Sequence, residues 1–258
     1  YVFDIIMETP DRFSTAVRMA FESQAAAFLP AIIRSRFHFA EQVREPDMVQ
    51  LLSKVRLRGS HGVVLKAADT PAINAAVDQL HDAGIPVVTL VTDLPRSRRI
   101  GYAGTDNRAA GETAAYLVSQ RLAQGSVLVT LSSSRFRGEE EREIAFRQWL
   151  QARSPRLMIC EISEGFGKDR PTYEQVRAAL AADPSIRAVY SIGGGNRAIV
   201  EAFADAGRAL DCFVAHDLDR DNRDLLGREK LHYVLHHDLG TDAAAVFRIF
   251  LKKPRAEP

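Results

Sequence analysis

At 258 residues the chain can fold as one large domain or as two smaller ones, each with a core of its own. Thirty-four basic residues against 33 acidic ones give no reason to expect nucleic acid held by bulk charge, and an apolar content of 46% is ordinary for a soluble globular protein. No apolar run approaches the roughly 18 residues of a membrane span, and no basic-then-apolar leader opens the chain. Cys160 and Cys212 lie in apolar strand-like runs and read as buried thiols, not as a disulfide staple.

The predicted elements alternate. A strand over 2–7 leads through Thr9-Pro10-Asp11 into an amphipathic helix over 13–29, with Val17, Phe21, Ala25 and Leu29 at helical spacing and Pro30 as its stop. Residues 32–39 alternate apolar and basic side chains and read as an edge strand. A helix from Pro46-Asp47 follows, then a strand over 62–65 apolar on both faces, then a helix over 73–80 ended by Gly84. The stretch 85–117 breaks this rhythm. Strands over 86–91 and 100–103 follow one another across a polar segment containing Pro95, with no helix between, and a helix with small residues at Gly111, Ala114 and Ala115 comes after. In open α/β sheets such a break marks a change of sheet and a place where ligands bind. Beyond it, strands over 126–131, 157–162, 188–192, 212–215 and 233–235 alternate with helices over 139–150, 173–182, 196–206, 219–227 and 241–251. Short loops between alternating strands and helices predict parallel sheets flanked by helices, and the strand count fits two lobes. Both ends, a strand opening near Tyr1 and the polar stub KKPRAEP, read as cut, so a partner segment is expected beyond them.

The run DLPRSRRIGYAGTDNRAAGETAAYLV resembles the sugar-sensing core of the lactose-repressor (LacI) family, most specifically at Gly104-Thr105-Asp106-Asn107 and Ala109-Ala110-Gly111. EEEREIAFRQWL, GGGNRAIVEA, VAHDL and VLHHDLG follow in the family's order, so the likeness runs from Val2 to Leu251. It implies the architecture shared with periplasmic sugar-binding proteins (type I): two lobes joined by crossing strands, each a parallel sheet flanked by helices, with a ligand held between them. The implied lobes are residues 1–105 plus 238–258, and residues 106–237. The implied mechanism is lobe closure on a small effector.

Several residues are candidates for ligand contact. Arg142 precedes Phe146 and Trp149 at i, i+4 and i+7, which puts it on the buried helix face with its head at the sheet edge; the resemblance implies a sugar-contacting arginine. The competing reading is a surface arginine paired with Glu139 or Glu140. Asp217 ends the strand CFVAH, where parallel strands present ligands, and the family uses an acid there; a helix N-cap is the competitor. His237 stands where the family often has glutamine. Phe166 matches a loop aromatic that stacks on sugar in relatives, and equally fits a lid over the core. Phe13 resembles the family's aromatic at the start of the first long helix, although Asp11-Arg12 replace its usual neighbours. Arg12, Lys66 and Arg142 together raise the hypothesis of an acidic ligand, a sugar acid or sugar phosphate, because buried cations need a partner.

Gly193-Gly194-Gly195-Asn196-Arg197-Ala198 contains the G-x-G-x-x-A pattern of dinucleotide-binding turns, with Asp217 about 20 residues on. The same glycines fit a cleft loop with Asn196 as a polar contact, and that reading is preferred. His216, His236, His237, Asp217 and Asp238 match no familiar zinc spacing, so no metal is expected. No nucleophile elbow, P-loop or H-E-x-x-H occurs.

The expectation is therefore a non-enzymatic effector-binding and dimerisation domain of a bacterial LacI-type regulator. It is expected to be cytoplasmic, to need no cofactor, to sense a sugar or acidic sugar derivative, to pair through its first long helix, and to reach operator DNA only through an upstream segment. The alternatives are a periplasmic sugar-binding protein of an ABC transporter and, after that, a nucleotide-dependent enzyme.

Overall fold

The computed structural model describes residues 1–252. The chain divides into two compact units. The first comprises residues 1–105, 135–137 and the C-terminal segment from Asp238; the second comprises 106–134 and 138–237. The expected end of the last piece, beyond Lys252, lies outside the described residues.

Unit 1 is a parallel sheet with strands in the order β2-β1-β3-β4-β5. They are β1 (Val2–Glu8), β2 (Arg34–Ala40), β3 (Gly62–Lys66), β4 (Val87–Leu90) and β5 (Gly101–Ala103). β2 is an edge strand, as expected. Side chains on a strand alternate between faces, so Phe3, Ile5 and Met7 of β1 bury against α1 (Asp11–Ala25) and α9 (Leu239–Lys252), while Ile6 joins the core under α2 (Glu45–Val55) and α3 (Pro71–Asp82). Helices on both faces explain why β3 and β4 are apolar without alternation. β4 and β5 pair in parallel with no helix between them. Asp93 braces that connection by accepting from Thr89 and from the Arg99 guanidinium.

The helix expected over 13–29 begins at Asp11, and its last turn tightens to a 3₁₀ turn at Ala26–Phe28. Leu29 is extended (ψ 141), as the residue before a proline must be when the ring disfavours helical geometry.

Unit 2 has the strand order β10-β9-β8-β6-β7, again all parallel. These are β6 (Gly125–Thr130), β7 (Leu157–Ile162), β8 (Ile186–Ser191), β9 (Cys212–His216) and β10 (Tyr233–Leu235). α4 (Asn107–Ser119) and α5 (Arg137–Arg153) share one core with Val127, Val129, Tyr190 and Val214. α6 (Asp169–Ala182), α7 (Asn196–Asp205) and α8 (Arg220–Gly227) share the other with Leu128, Val189, Phe213 and Ala215. α4 starts four residues before the expected small-residue face because the Asp106 carboxylate caps it, accepting from Ala109 N at 3.0 Å. Cys212 is buried and burial pushes its thiol up to about 11; Cys160, expected buried, is half-exposed on the edge strand β7, with its thiol also raised by burial.

Two predictions follow from unit 1. Phe247 of α9 packs on Phe3, Phe21 and Phe28 at centroid distances of 5.9, 5.4 and 5.4 Å. Phe247→Ala is expected to cost about 3–5 kcal/mol in denaturant unfolding, and a loss under about 1 kcal/mol contradicts this packing. Asp4, fully buried on β1, accepts from Arg36 at 2.6 Å and contacts His38 at 2.8 Å, both from β2. Burial alone raises its carboxyl, but the hydrogen bonds from Arg36, His38 and Ser60, with the Arg36 charge, hold it below the ordinary carboxylate range. A carboxyl depressed on folding adds stability above its unfolded pKa of about 3.9 and loses it as pH falls through the folded value. Asp4→Asn should therefore flatten the loss of stability below about pH 4; parallel acid profiles contradict the pair's role.

Candidate functional site

The C-terminal edge of the unit 2 sheet gathers a buried polar network. Arg142 lies in the second turn of α5 and is 4% exposed. Its Nε donates to Asn107 Oδ1 at 2.8 Å, and its Nη2 contacts His237 Nε2 at 2.9 Å. Gly111 makes this placement possible. A Cβ there would fall 2.2 Å from the Arg142 carbonyl oxygen, so only glycine lets α5 cross α4 closely enough for Arg142 to reach Asn107 in the first turn of α4. The competing pairing of Arg142 with Glu139 is not formed: the Glu139 carboxylate takes Ser132 N at 2.7 Å and the Ser132 hydroxyl.

Asp217 follows β9 with φ 66, a left-handed geometry that is strained for a residue other than glycine and recurs at functional sites. Its backbone is pinned, N donating to Leu235 O at 2.9 Å and O accepting from Asn222 Nδ2 at 2.7 Å. The carboxylate Oδ1 is buried without a hydrogen-bond partner, 3.9 Å from His237 Nε2. Asp217 is not the cap of α8, as the competing reading had it; Asp219 is, accepting from Asn222 N at 2.8 Å.

Asn196 opens α7 after Gly195. Its Nδ2 donates to Asn222 Oδ1 at 2.6 Å, and its own Oδ1 is buried without a partner. Thr130 Oγ1, at the end of β6, is a third such atom. Behind them His216 Nε2 meets Tyr190 Oη at 2.8 Å. Burial, then the Arg142 charge, holds His216 well below the ordinary histidine value, so it is a neutral imidazole. Burial raises the Tyr190 phenol.

Thus Arg142, His237, Asp217 and Asn196, singled out from sequence, meet in one network. Asn107, Asn222, His216 and Tyr190 complete it, and sequence reasoning assigned none of them a role. Asn222 carried one local signal, its place three residues after the cap Asp219.

Phe166 lies half-buried on the loop after β7, its N donating to Ser132 O at 2.9 Å. In unit 1, Phe13 belongs to the core beside Phe3 and Val17. Lys66 donates to the Glu8 carbonyl oxygen at 2.6 Å and lies 4.1 Å from the Phe136 ring centroid. Arg12 sits in the first turn of α1, and its side chain lies outside the described residues.

The glycine-rich turn has a packing explanation. A Cβ at Gly193 would sit 1.9 Å from Ser132 N, and one at Gly195, whose φ is 75, would sit 2.6 Å from Thr172 Oγ1. Close backbone contact inside unit 2 requires these glycines whether or not a nucleotide binds. Among the described residues no group of three or more His, Cys, Asp or Glu side chains is arranged to hold a metal ion, and no helix is long and apolar enough to cross a membrane.

Two parallel sheets, each flanked by helices, with polar residues at strand ends, define a binding-protein architecture. The chain belongs to the periplasmic binding protein domain family, whose model matches residues 5–252. It is similar to the glucose-galactose binding protein GanP of Geobacillus stearothermophilus at 18% identity and TM-score 0.86, covering 98% of this chain and 90% of that one. It is similar to an ABC transporter solute binding protein from Burkholderia graminis in complex with D-arabinose, at 18% identity and TM-score 0.87, covering 99% and 91%. An ABC transporter periplasmic solute binding protein from Actinobacillus succinogenes with bound D-allose gives 18% identity and TM-score 0.84, covering 97% and 90%. At such identities these likenesses establish the fold. No curated protein sequence matches the chain.

Gly111→Ala is expected to push α5 off α4, costing about 1–3 kcal/mol in denaturant unfolding and detaching Arg142 from Asn107. An unchanged midpoint means the helices do not need this contact.

Proposed function

We propose that the chain captures a small polyhydroxylated molecule, a sugar or sugar derivative, and does not transform it. The observation that carries this reading is the pair of orphaned acceptors, Asp217 Oδ1 and Asn196 Oδ1, in the network that holds the buried donor Arg142. A buried acceptor without a donor is costly, and ligand hydroxyls remove that cost. The guanidinium uses two of its five N–H donors internally and has others to offer ligand oxygens. Alternating donors and acceptors suit a polyol. Relatives named for binding glucose-galactose, D-arabinose and D-allose support the same class.

The acceptors favour a neutral ligand over the acid hypothesised from Arg12, Lys66 and Arg142. Lys66 is engaged with the Glu8 carbonyl and the Phe136 ring, and a ligand carboxylate would be repelled by Asp217. Ligand-driven closure of the lobes remains the proposed mechanism, read out as a fall in radius of gyration on sugar addition.

Solute capture for a sugar transporter is the reading the solved relatives support. The effector-domain reading, a cytoplasmic LacI-type dimer reaching operator DNA through a preceding segment, is supported by the runs around Gly104-Thr105-Asp106-Asn107 and Gly193-Gly194-Gly195-Asn196. The full gene product separates them: a helix-turn-helix segment and operator binding fit the second, an exported product fits the first.

Calorimetric titration with neutral pentoses and hexoses, their aldonic acids and their phosphates tests the reading. A neutral sugar is expected to bind, and Asp217→Ala to weaken it by about 1.5–3 kcal/mol, roughly tenfold to a hundredfold in Kd. Binding of the acids alone, or an unchanged Kd in Asp217→Ala, contradicts it.

A further inference from the structure

A guanidinium can only donate hydrogen bonds. The 2.9 Å contact from Arg142 Nη2 therefore needs a lone pair on His237 Nε2, which puts the ring proton on Nδ1 and leaves the imidazole neutral. The ring is 1% exposed, so no bulk water stands by to replace that donor.

The same nitrogen is 3.9 Å from Asp217 Oδ1, the buried acceptor that lacks a donor. One atom of His237 thus stands between a donor it accepts from and a carboxylate it has no proton to serve. Adding a proton to Nε2 reverses both relations. Arg142 then faces a second cation at hydrogen-bond distance, and the new N–H finds its counter-charge within about one ångström of travel.

We propose that His237 is an acid-sensitive latch in this site. Neutral, it is the positioning residue that holds Arg142 against Asn107; protonated at Nε2, it releases Arg142 and takes the Asp217 carboxylate. Its functional consequence rests on the ligand-capture reading: acid would withdraw a ligand donor and occupy a ligand acceptor in one step. Glutamine, which supplies a carbonyl oxygen but cannot gain a proton, would position Arg142 without the switch.

Among the described residues, the other charged and titratable groups of this edge, Asp217 apart, have partners of their own. Arg142 comes from α5, as does Glu139, which is engaged with Ser132. His216, at the end of β9, is held neutral and bonded to Tyr190 of β8. His236 Nδ1 accepts from Leu218 N at 3.2 Å. The Asp238 carboxylate accepts from Thr241 N and Oγ1 at 3.0 and 2.7 Å. Asn107 on α4 is uncharged. Asp217 is the carboxylate in this set whose buried oxygen lacks a donor.

The test uses the ligand-free chain labelled with 15N and 13C, so its failure is distinct from failure of the sugar reading, which the titration panel decides. Histidine ring correlations are recorded from pH 7.5 to 5.5, with His237 assigned among the seven histidines by its loss in His237→Gln. At pH 7.5 His237 is expected to show an unprotonated Nε2 and a protonated Nδ1. On acidification its Nε2 should gain a proton in step with movement of the Arg142 side-chain N–H signals and the Asp217 carboxyl carbon. In His237→Gln the Arg142 signals should keep their neutral-pH positions across the range, and in Arg142→Met the His237 tautomer should change. A protonated Nε2 at pH 7.5 overturns the proposal. So do Arg142 signals that titrate identically in His237→Gln.

Discussion

A guanidinium removed from water has to find acceptors inside the protein, and the C-terminal edge of the second unit is organised by how Arg142 meets that demand. Its two partners come from distant parts of the chain, Asn107 on α4 and His237 after β10. Both are neutral acceptors, and neither cancels the charge. Glu139, which sequence proximity favours as the counter-ion, is spent on the loop at Ser132. The charge is therefore solvated by dipoles and left electrostatically open. That is a poor arrangement for stability alone and a suitable one for meeting ligand oxygens.

The rest of the unit supports this placement. Gly111 lets α5 close on α4, and the Phe146 ring stacks on Tyr190 at 4.7 Å, fixing the helix that carries Arg142 over the sheet. Asn222 ties the ends of β9 and α7 together by donating to the carbonyls of His216 and Asp217 while accepting from Asn196. Asp217 holds its left-handed backbone because both its N–H and its carbonyl are bonded. Three loops lie side by side at this edge: Phe166 N reaches Ser132 O, Glu164 takes the Ser134 N–H at 2.8 Å, and Gly193 presses on Ser132. Parallel strands end here with carbonyls and helix starts converging, which is where open α/β sheets bind ligands.

Much of the fold was legible because it rests on local pattern. Two-residue and 3.6-residue periods mark the strands and helices, and the missing helix between β4 and β5 marks the break in alternation. The boundaries that shifted did so for local chemistry: Asp106 capping α4 early, and Pro30 forcing Leu29 out of α1. Asp217 and Arg142 were legible from position, one at a strand end and the other on the inner face of a helix. Their partners were not. Asn107 and His237 lie 35 and 95 residues from Arg142, and no period in the chain specifies such meetings. Lys66 shows what position along the chain leaves out. A cation at a strand end reads as a ligand contact, yet its four-carbon stem lets the ammonium fold back onto the Glu8 carbonyl of its own unit.

The central claim is that the orphaned oxygens of Asp217 and Asn196 exist to receive ligand hydroxyls. A crystal structure of the chain with a bound neutral monosaccharide tests it most directly. The account predicts sugar hydroxyls within about 3 Å of both oxygens, with a sugar oxygen on the Arg142 guanidinium. A sugar bound elsewhere, with both oxygens still lacking donors, would contradict it.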